Sequence, residues 1–149
     1  MIRNFEDLEV WQNSRDLCKE IHHLIIAPDF GKDFALVNQI NRSSGSIMDN
    51  IAEGFGRTGN KEFIQYLSIS KGSCSEVKSQ LYRAMDRSYL DIKKGEEILS
   101  STQSLMNQLG GFIHYLKQSE YKGSKFKEPS AVYQLNLESR IPNSESQIF

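Results

Sequence analysis

The sequence lacks long hydrophobic runs, paired cysteines and, over most of its length, proline. Its longest apolar runs, such as residues 24–27, contain only four residues, whereas a membrane-spanning helix needs roughly 20. Cys18 and Cys74 stand in no CxxC or other ligand spacing, which favours two free core thiols over a disulfide or a reactive thiol. Only Pro28 precedes residue 119, and it is expected to stop a helix. A membrane-spanning helix and a disulfide scaffold are therefore excluded.

An excess of charge of one sign is also missing. The formal net charge is −1; residues 1–118 contain 14 lysines and arginines against 15 aspartates and glutamates, and four of each follow. Because no net positive field would attract a polyanion, non-specific nucleic-acid binding by a single chain is disfavoured. A local basic face, or one built by oligomerisation, stays open.

The length and composition are typical of one soluble domain. The 149 residues, 38% hydrophobic and 25% charged, can bury a core without disulfides or metals. The first residues, Met-Ile-Arg-Asn-Phe-Glu-Asp, place acids where a secretory signal needs an apolar segment. We therefore expect a cytoplasmic protein with no membrane partner.

Residues that cap or break helices divide the first 118 positions into four helical segments. The segments are predicted at about residues 4–27, 34–56, 60–88 and 92–118. The predicted N-terminal caps of the first three are Asn4 or Asp7, Asp33, and Asn60. A glycine pair, Gly54 and Gly56, is expected to end the second helix and turn the chain.

Apolar residues recur at intervals of three and four in these segments, the period of one helix face. The predicted core positions are Leu36, Ile40, Ile47, Ile51 and Phe55 on the second helix, Phe63, Leu67, Ser70, Cys74, Val77, Leu81 and Ala84 on the third, and Ile98, Thr102, Leu105, Leu109, Phe112 and Leu116 on the fourth. The first helix has a wider apolar face, expected to contact more than one neighbour. This pattern predicts an all-α fold, an antiparallel up-down-up-down four-helix bundle over residues 1–118.

From residue 119 the composition changes to lysine, serine and glutamate, and no helical pattern persists. Residues 119–149 are therefore predicted to be an irregular C-terminal tail. Two interpretations stay open: a flexible tail, or one that docks on a neighbouring subunit or partner through Tyr133, Leu135, Leu137 or the terminal Ile148-Phe149.

The second helix also carries a polar stripe. It consists of Arg42, Ser46, Asn50, Glu53 and Arg57, spaced by four, four, three and four residues. In one interpretation Glu53 and Arg57 form an i,i+4 pair, while the other three tie the helix to Ser73 and Glu76 on the third and so select its register. In the other interpretation, the same groups form a recognition surface.

Catalytic and metal sites have little support in the sequence. Residues 54–59 match GxGxxG, but a helix rather than a strand precedes them, which argues against a dinucleotide site. An anion held by the amides of this loop with Arg57 and Lys61 is a weaker possibility. Arg15 and His22 have the spacing of one class of helical ribonucleases, without a polar companion. No metal-ligand spacing is present, and we expect neither a catalytic residue, a metal nor a cofactor.

Three segments of the chain form a recognisable pattern. They are Phe5-x-x-Leu8-x-Val10-Trp11-Gln12; Gln39-Ile40-x-Arg42 with Ser46-Ile47-x-x-Asn50-Ile51-Ala52-Glu53-Gly54-x-Gly56-Arg57; and Phe63-Ile64-x-Tyr66-Leu67-x-Ile69-Ser70-x-Gly72-Ser73-x-x-Glu76. Together they resemble the 23S rRNA intervening-sequence protein family, also called four-helix-bundle proteins. The resemblance covers about residues 5–117. It implies a homo-oligomeric bundle, often a pentameric ring, with no established catalytic activity. A group similar in fold, the accessory variability determinants of diversity-generating retroelements, binds reverse transcriptase and nucleic acid through a strongly basic surface, which this chain lacks.

Two functional hypotheses follow. The first, which we favour, is a non-enzymatic homo-oligomeric scaffold whose ring presents a surface to a protein or ribonucleoprotein partner. The second is an RNA- or DNA-binding accessory protein. Its candidate phosphate contacts are Arg42, Arg57, Lys61, Lys71, Lys78, Arg83 and Arg87.

Overall fold

The computed structural model describes residues 2–119, which form four long α-helices. They are α1 (Glu9–Ile25), α2 (Phe34–Gly56), α3 (Asn60–Asp86) and α4 (Ile92–Gln118). Short 3-10 turns, Phe5–Asp7 and Phe30–Lys32, precede α1 and α2. The described residues contain no β-strand, which confirms the predicted all-α class. Within the same residues, none of the helices has the length together with the hydropathy that crossing a bilayer requires.

The predicted C-terminal tail lies, from residue 120 onward, outside the described residues. The docking side chains proposed for it, Tyr133, Leu135, Leu137 and Ile148-Phe149, belong to that part of the chain. The division at residue 118 and the role of the tail therefore stay predictions.

Each helix packs against the helices that come before and after it in the chain. The contact between α2 and α3 is the most extensive, followed by α3 with α4 and α1 with α2, and a thinner seam between α1 and α4 closes the circle. Because the connections are short, consecutive helices run in opposite directions. The predicted antiparallel up-down-up-down bundle is thereby confirmed.

The core consists of the positions that the helical period selects. All seven predicted positions of α3 and all six of α4 are buried, and on α2 only Phe55 stays half-buried at the core's edge. The ring of Phe63 lies edge-on to that of Phe112, with centroids 5.4 Å apart. Two of these core positions carry hydroxyl groups, and both donate to helix carbonyls, Ser70 to Ile47 at 2.9 Å and Thr102 to Ile98 at 2.7 Å. The core therefore contains hydroxyl groups whose hydrogen bonds are satisfied.

The ends of the helices differ in detail from the predicted ends. Asp33 caps α2 as predicted, since its carboxylate accepts the backbone N–H of Leu36 at 3.2 Å. Asn4 is instead at the cap position of the first 3-10 turn, Asp7 is the last residue of that turn, and α1 begins at Glu9 after the extended residue Leu8.

The predicted cap of α3 was wrong. Asn60 is the first residue of the helix, the cap position is taken by Gly59 at φ +100°, and the Asn60 amide donates to the Leu116 carbonyl on α4 at 3.5 Å. A glycine suits this position because the left-handed backbone disfavours a side chain.

Gly54 lies where α2 crosses α3 closely. A β-carbon placed there would come within 2.6 Å of the Tyr66 β-carbon and 2.9 Å of a Phe63 ring carbon. The sequence prediction treated Gly54 as a helix breaker, but it is a buried residue inside α2. Its absent side chain is what allows the two helices to approach.

Candidate functional site

A polar groove runs between α2 and α3 on the outside of the bundle. Its volume is about 530 Å³. We call it the α2–α3 groove, and its lining residues are Gln39, Arg42, Ser43, Ser46, Ser73, Glu76 and Gln80. It arises because three facing positions of the two helices are serines, whose small side chains leave space above the buried apolar seam.

Ser46 joins the two helices at the floor of the groove. The Ser73 hydroxyl donates to the Ser46 hydroxyl oxygen at 3.0 Å. The Asn50 amide, one turn along α2, donates to the same oxygen at 2.9 Å and to the Ser46 carbonyl at 2.8 Å. Of the predicted polar stripe, Ser46 thus contacts α3 directly, while Asn50 bonds only within its own helix.

Ser43 makes the second connection, and the sequence analysis did not single it out. Its hydroxyl oxygen lies 2.9 Å from the Gln39 carbonyl and 3.1 Å from a Glu76 carboxylate oxygen, and it accepts the Gln80 amide at 3.0 Å. A hydroxyl has one proton, so Ser43 can donate to only one of its two acceptors at a time. The sequence does contain a pattern that points to Ser43. The polar residues at positions 39, 43, 46 and 50 recur at helical spacing, and they lie closer to the apolar positions of α2 than the residues of the predicted stripe do.

Gln80 closes the floor of the groove and carries an unsatisfied atom. The residue is only 8% exposed, and its amide oxygen is buried without a hydrogen-bond partner among the described residues. An unpaired buried amide oxygen is costly, because it loses water without replacing the hydrogen bond. The Gln80 amide oxygen therefore adds no hydrogen bond to the contact between α2 and α3.

Arg42 stands at the rim of the groove, away from the serine floor. It is exposed and makes no hydrogen bond or ion pair with another residue between 2 and 119, in contrast to the predicted tie to α3. The reason is geometric: successive residues turn by about 100° around a helix, so Arg42 faces outward when Ser43 faces α3. The groove thus has a guanidinium on its α2 rim and the exposed Glu76 carboxylate on its α3 side.

Glu53 and Arg57 form an ion pair at the end of α2, outside the groove. The Arg57 Nη2 atom lies 2.6 Å from the Glu53 Oε1 atom, and both side chains are about half exposed. The guanidinium also lies over the Tyr66 ring, 5.6 Å from its centroid. Hydrogen bonding to Glu53 is the main reason that the pKa of Arg57 is raised. An exposed pair of this kind contributes little stability.

The candidate phosphate contacts do not share one face. Lys78 donates to Gln103 on α4 at 2.6 Å, whereas Arg83 donates to Gln39 on α2 at 2.7 Å. These residues of α3 therefore lie on its two opposite flanks. Lys71 also lies on the α4 side, since its ammonium is 3.5 Å from where a Gly110 β-carbon would be.

Two further candidates, Arg57 and Arg87, are engaged with acids. Arg57 pairs with Glu53, and Arg87 lies 2.6 Å from an Asp33 carboxylate oxygen. This leaves Arg42, Lys61 and Lys71 as the candidates that are exposed and without a polar partner in the described part of the chain.

The remaining reactive side chains have other environments. Burial raises the pKa of Cys74 to about 12 and also raises that of Cys18, whose thiol donates to the Ser44 carbonyl at 3.1 Å. Neither cysteine is in a disulfide, and thiols with raised pKa values are poor nucleophiles.

The two residues of the ribonuclease-like spacing lie apart on α1. Arg15 lies over the Trp11 ring at 5.7 Å, and the His22 ring is 6.0 Å from that of His23. Arg15 and His22 are separated by seven residues, about 10 Å along the helix axis. Residues 2–119 contain no group of three or more histidine, cysteine, aspartate or glutamate side chains that could hold a metal ion.

The structure is therefore an all-α antiparallel helical bundle with a polar groove, the α2–α3 groove, on one face. Residues 6–111 match the family described as 23S rRNA-intervening sequence protein, and the chain belongs to that family. No curated protein matches the chain.

A solved structure of similar fold is that of a protein of unknown function from the S23 ribosomal protein family of Bacteroides thetaiotaomicron VPI-5482. It is 23% identical, covers 70% of this chain and 97% of its own length, and superimposes with a TM-score of 0.65. At this identity the likeness establishes the shared fold, and it agrees with the bundle described above.

Proposed function

We propose that the protein is a non-enzymatic homo-oligomeric scaffold that presents a helical surface to a protein or ribonucleoprotein partner. The observation that carries this proposal is a set of large apolar side chains exposed at one end of the bundle. Ile26, Phe34 and Ile92 are 62%, 75% and 67% exposed. Large exposed apolar side chains that occur together are typical of interaction surfaces.

These three side chains belong to one end because of the topology. Ile26 follows the last residue of α1, Phe34 is the first residue of α2 and Ile92 the first of α4. In an antiparallel bundle these positions come to the same end. We call Ile26, Phe34 and Ile92 the apolar end. Covering it with another chain would remove its apolar surface from water, which favours association.

A closed ring forms when the apolar end of one chain packs against a different surface of the next chain, because contact of the apolar end with its own copy would give only a dimer. The pentamer implied by the family resemblance is the specific ring that we propose. In this arrangement the α2–α3 groove would face a partner, since its exposed Arg42 and Glu76 offer opposite charges to complementary groups. The buried, unsatisfied Gln80 amide beneath them supports a role in recognition rather than in packing.

The test is the mass of the full chain in solution, measured by light scattering or native mass spectrometry. A ring of five predicts five times 17.1 kDa. The double variant Phe34→Lys/Ile92→Lys is expected to dissociate into single chains, because lysines resist burial in an apolar contact.

The matched control is Ile69→Lys, which places a lysine at an exposed isoleucine on α3, away from the apolar end. It should leave the mass unchanged. A wild-type chain that stays at 17.1 kDa across the micromolar range contradicts self-association. If the control variant also dissociates into single chains, the assignment of the contact to the apolar end is wrong.

Nucleic-acid binding is the second candidate function, favoured by the three exposed basic residues without polar partners: Arg42, Lys61 and Lys71. Binding of structured RNA should then weaken steeply with salt, with a slope of log K against log salt set by the number of phosphate contacts. The triple change to glutamine should reduce that slope, while Lys93→Gln, an exposed lysine on α4, should not. Absence of binding at low salt would reject this function.

A further inference from the structure

Two side chains of α3 bring hydrogen-bond acceptors to one point of the α2–α3 groove. Glu76 and Gln80 are one helical turn apart, and both reach the hydroxyl oxygen of Ser43 on α2, at 3.1 Å and 3.0 Å. The Ser43 hydroxyl oxygen accepts the Gln80 amide nitrogen and lies beside one of the two Glu76 carboxylate oxygens. The ends of both side chains are therefore close enough together to contact a single ligand group.

The Gln80 amide oxygen is the acceptor that lacks a partner. Gln80 lines the groove and is only 8% exposed, and this oxygen has no hydrogen-bond partner among the described residues. The last torsion angle of a glutamine has a broad minimum, so the amide can turn its oxygen toward the groove when a donor arrives. A ligand that satisfies Gln80 must therefore carry N–H or O–H donors.

Glu76 determines the charge of that ligand. Its side chain is exposed, and its carboxylate forms no ion pair with any residue between 2 and 119. Only one of the two carboxylate oxygens has a hydrogen-bond partner in that part of the chain, the Ser43 hydroxyl. A cation with several N–H donors is the group that matches an unpaired carboxylate beside an unpaired amide oxygen.

We propose that the α2–α3 groove receives an arginine side chain of a protein partner, with its guanidinium between Glu76 and Gln80. This inference rests on the proposed function, in which the groove faces a partner. A guanidinium is planar, always charged and has five N–H donors, so it can bond two acceptors at once. A lysine ammonium is a compact point charge and lacks this fixed fork of donors.

Arg42 adds a second requirement for the partner. This exposed residue lines the same groove and has no polar partner in the described part of the chain. Its guanidinium would repel an arriving cation, so the partner must carry an acid close to its arginine, and that acid pairs with Arg42. Charges of both signs distinguish a protein partner from nucleic acid, whose phosphates are all negative.

The guanidinium site is tested with N-acetyl-arginine methylamide as the probe. It is titrated into the full chain labelled with nitrogen-15, and NMR follows the side-chain amide signals of Gln80, identified by their loss in Gln80→Leu. These signals are expected to shift and to saturate in about the millimolar range, as suits a ligand of this size. N-acetyl-lysine methylamide should bind more weakly. Equal binding of the two probes, or no saturable shift at Gln80, would overturn the proposal.

Two variants of the groove should change the affinity for the arginine probe in opposite directions. Glu76→Gln is expected to weaken binding about tenfold or more, because it removes a charge-assisted hydrogen bond. Arg42→Gln is expected to strengthen binding, because it removes the repulsion between two guanidinium groups. The control Glu62→Gln neutralises another exposed glutamate of α3 and should leave the affinity unchanged. The same affinity in Glu76→Gln and in the control contradicts the site.

Gln80→Leu separates recognition from packing. It removes the unpaired buried oxygen together with one hydrogen bond to Ser43, so the melting temperature is not expected to fall. Binding of the arginine probe, followed by the backbone signals of Ser43 and Glu76, should be lost. A lower melting temperature with unchanged binding would show that Gln80 serves packing only, and it would reject the proposal.

The same titration distinguishes this inference from the proposed ring. Binding of the arginine probe by single chains of Phe34→Lys/Ile92→Lys would support the site in the groove, even if the wild type forms no ring. A wild-type ring that shows no saturable shift at Gln80 would reject the site in the groove and leave the proposed oligomer intact.

Discussion

Asp33 shows how much of the fold one side chain can organise. One carboxylate oxygen accepts the Leu36 backbone N–H and so caps α2, while the other accepts the Tyr89 hydroxyl at 2.8 Å and the Arg87 guanidinium at 2.6 Å. Tyr89 in turn stacks on Phe30, with ring centroids 5.1 Å apart. The connection between α1 and α2 is thereby fastened to the turn between α3 and α4. The sequence predicted the cap but not the two partners from distant residues.

The Asp33 cluster predicts a dependence of stability on pH. The Tyr89 hydrogen bond, followed by that of the Leu36 amide, holds the pKa of Asp33 below its ordinary value, and Arg87 adds to this. Because the folded pKa lies below the unfolded value of about 4, this stabilisation is fully present above that pH and is lost as the pH falls through the folded pKa.

The variant Tyr89→Phe should therefore lower the melting temperature at neutral pH and make stability fall less steeply on acidification. Thermal unfolding between pH 7 and pH 3 measures both effects. Tyr82→Phe removes a hydroxyl from an exposed tyrosine of α3 and serves as the control. An unchanged acid dependence in Tyr89→Phe would contradict the assignment of the pKa shift to this hydrogen bond.

Gly54 supports a second prediction about a single residue. Gly54→Ala should destabilise the protein by about 1–3 kcal/mol, because the new methyl group would overlap the Tyr66 β-carbon, which cannot move without its helix. Gly45→Ala is the matched control on the same helix, where nothing lies within 4 Å of the added carbon. It should stabilise by up to about 1 kcal/mol, since alanine favours helix more than glycine does. Urea unfolding midpoints measure both variants, and equal effects would refute the close approach at Gly54.

The helices themselves follow from the spacing of apolar residues. The seven core positions of α3, from Phe63 to Ala84, are spaced alternately by four and three residues, and all seven are buried in the bundle. Hydrophobic burial selects this period because only residues on one face of a helix can reach a common core. Polar members such as Ser70 are tolerated, since a neighbouring helix carbonyl accepts their hydrogen bond.

A pair of α3 variants should separate the buried seam from the exposed face. Leu67→Ala removes a fully buried side chain and is expected to cost about 2–5 kcal/mol. Ile69→Ala truncates an isoleucine that is 46% exposed, so the change should stay within about 0.5 kcal/mol. Chemical unfolding gives both values. Similar losses for the two variants would mean that α3 is rotated from the orientation described.

The distribution of charge over the whole bundle limits what it can bind. The basic residues of α3 lie on both flanks of the helix, and several of them contact polar or acidic side chains. No broad basic face therefore forms within the described residues of one chain, and the net charge of −1 adds no long-range attraction for nucleic acid. The apolar contact between chains that we propose requires no such basic face.

If the apolar end joins chains, stability should depend on protein concentration. The melting temperature of the wild type is expected to rise over a hundredfold increase in concentration, because association stabilises the folded state by mass action. Phe34→Lys/Ile92→Lys should unfold at a temperature independent of concentration. A scanning calorimetry series checks this, and a concentration-independent wild type would argue against a stable oligomer.

Most of the architecture can be predicted from the sequence. The helix count, approximate limits and inward faces all follow from apolar periodicity and capping residues, because these are local properties of the chain. Asp33 was identified as a cap, whereas Asn60 was not recognised as a side chain that bonds to α4. That bond joins residues 56 positions apart, and no local pattern encodes it.

The candidate site depended on the relative rotation of α2 and α3. One interpretation of the sequence had Arg42, Ser46 and Asn50 tie α2 to Ser73 and Glu76. In the structure only Ser46 of these three contacts Ser73, at 3.0 Å, while Arg42 points outward and the contacts of Ser43 with Gln80 were missed. One residue corresponds to about 100° around the helix, so neighbours in sequence can lie on opposite sides of a groove. Apolar spacing therefore determines which face of each helix is buried, and packing between the helices determines which polar groups at its margins meet.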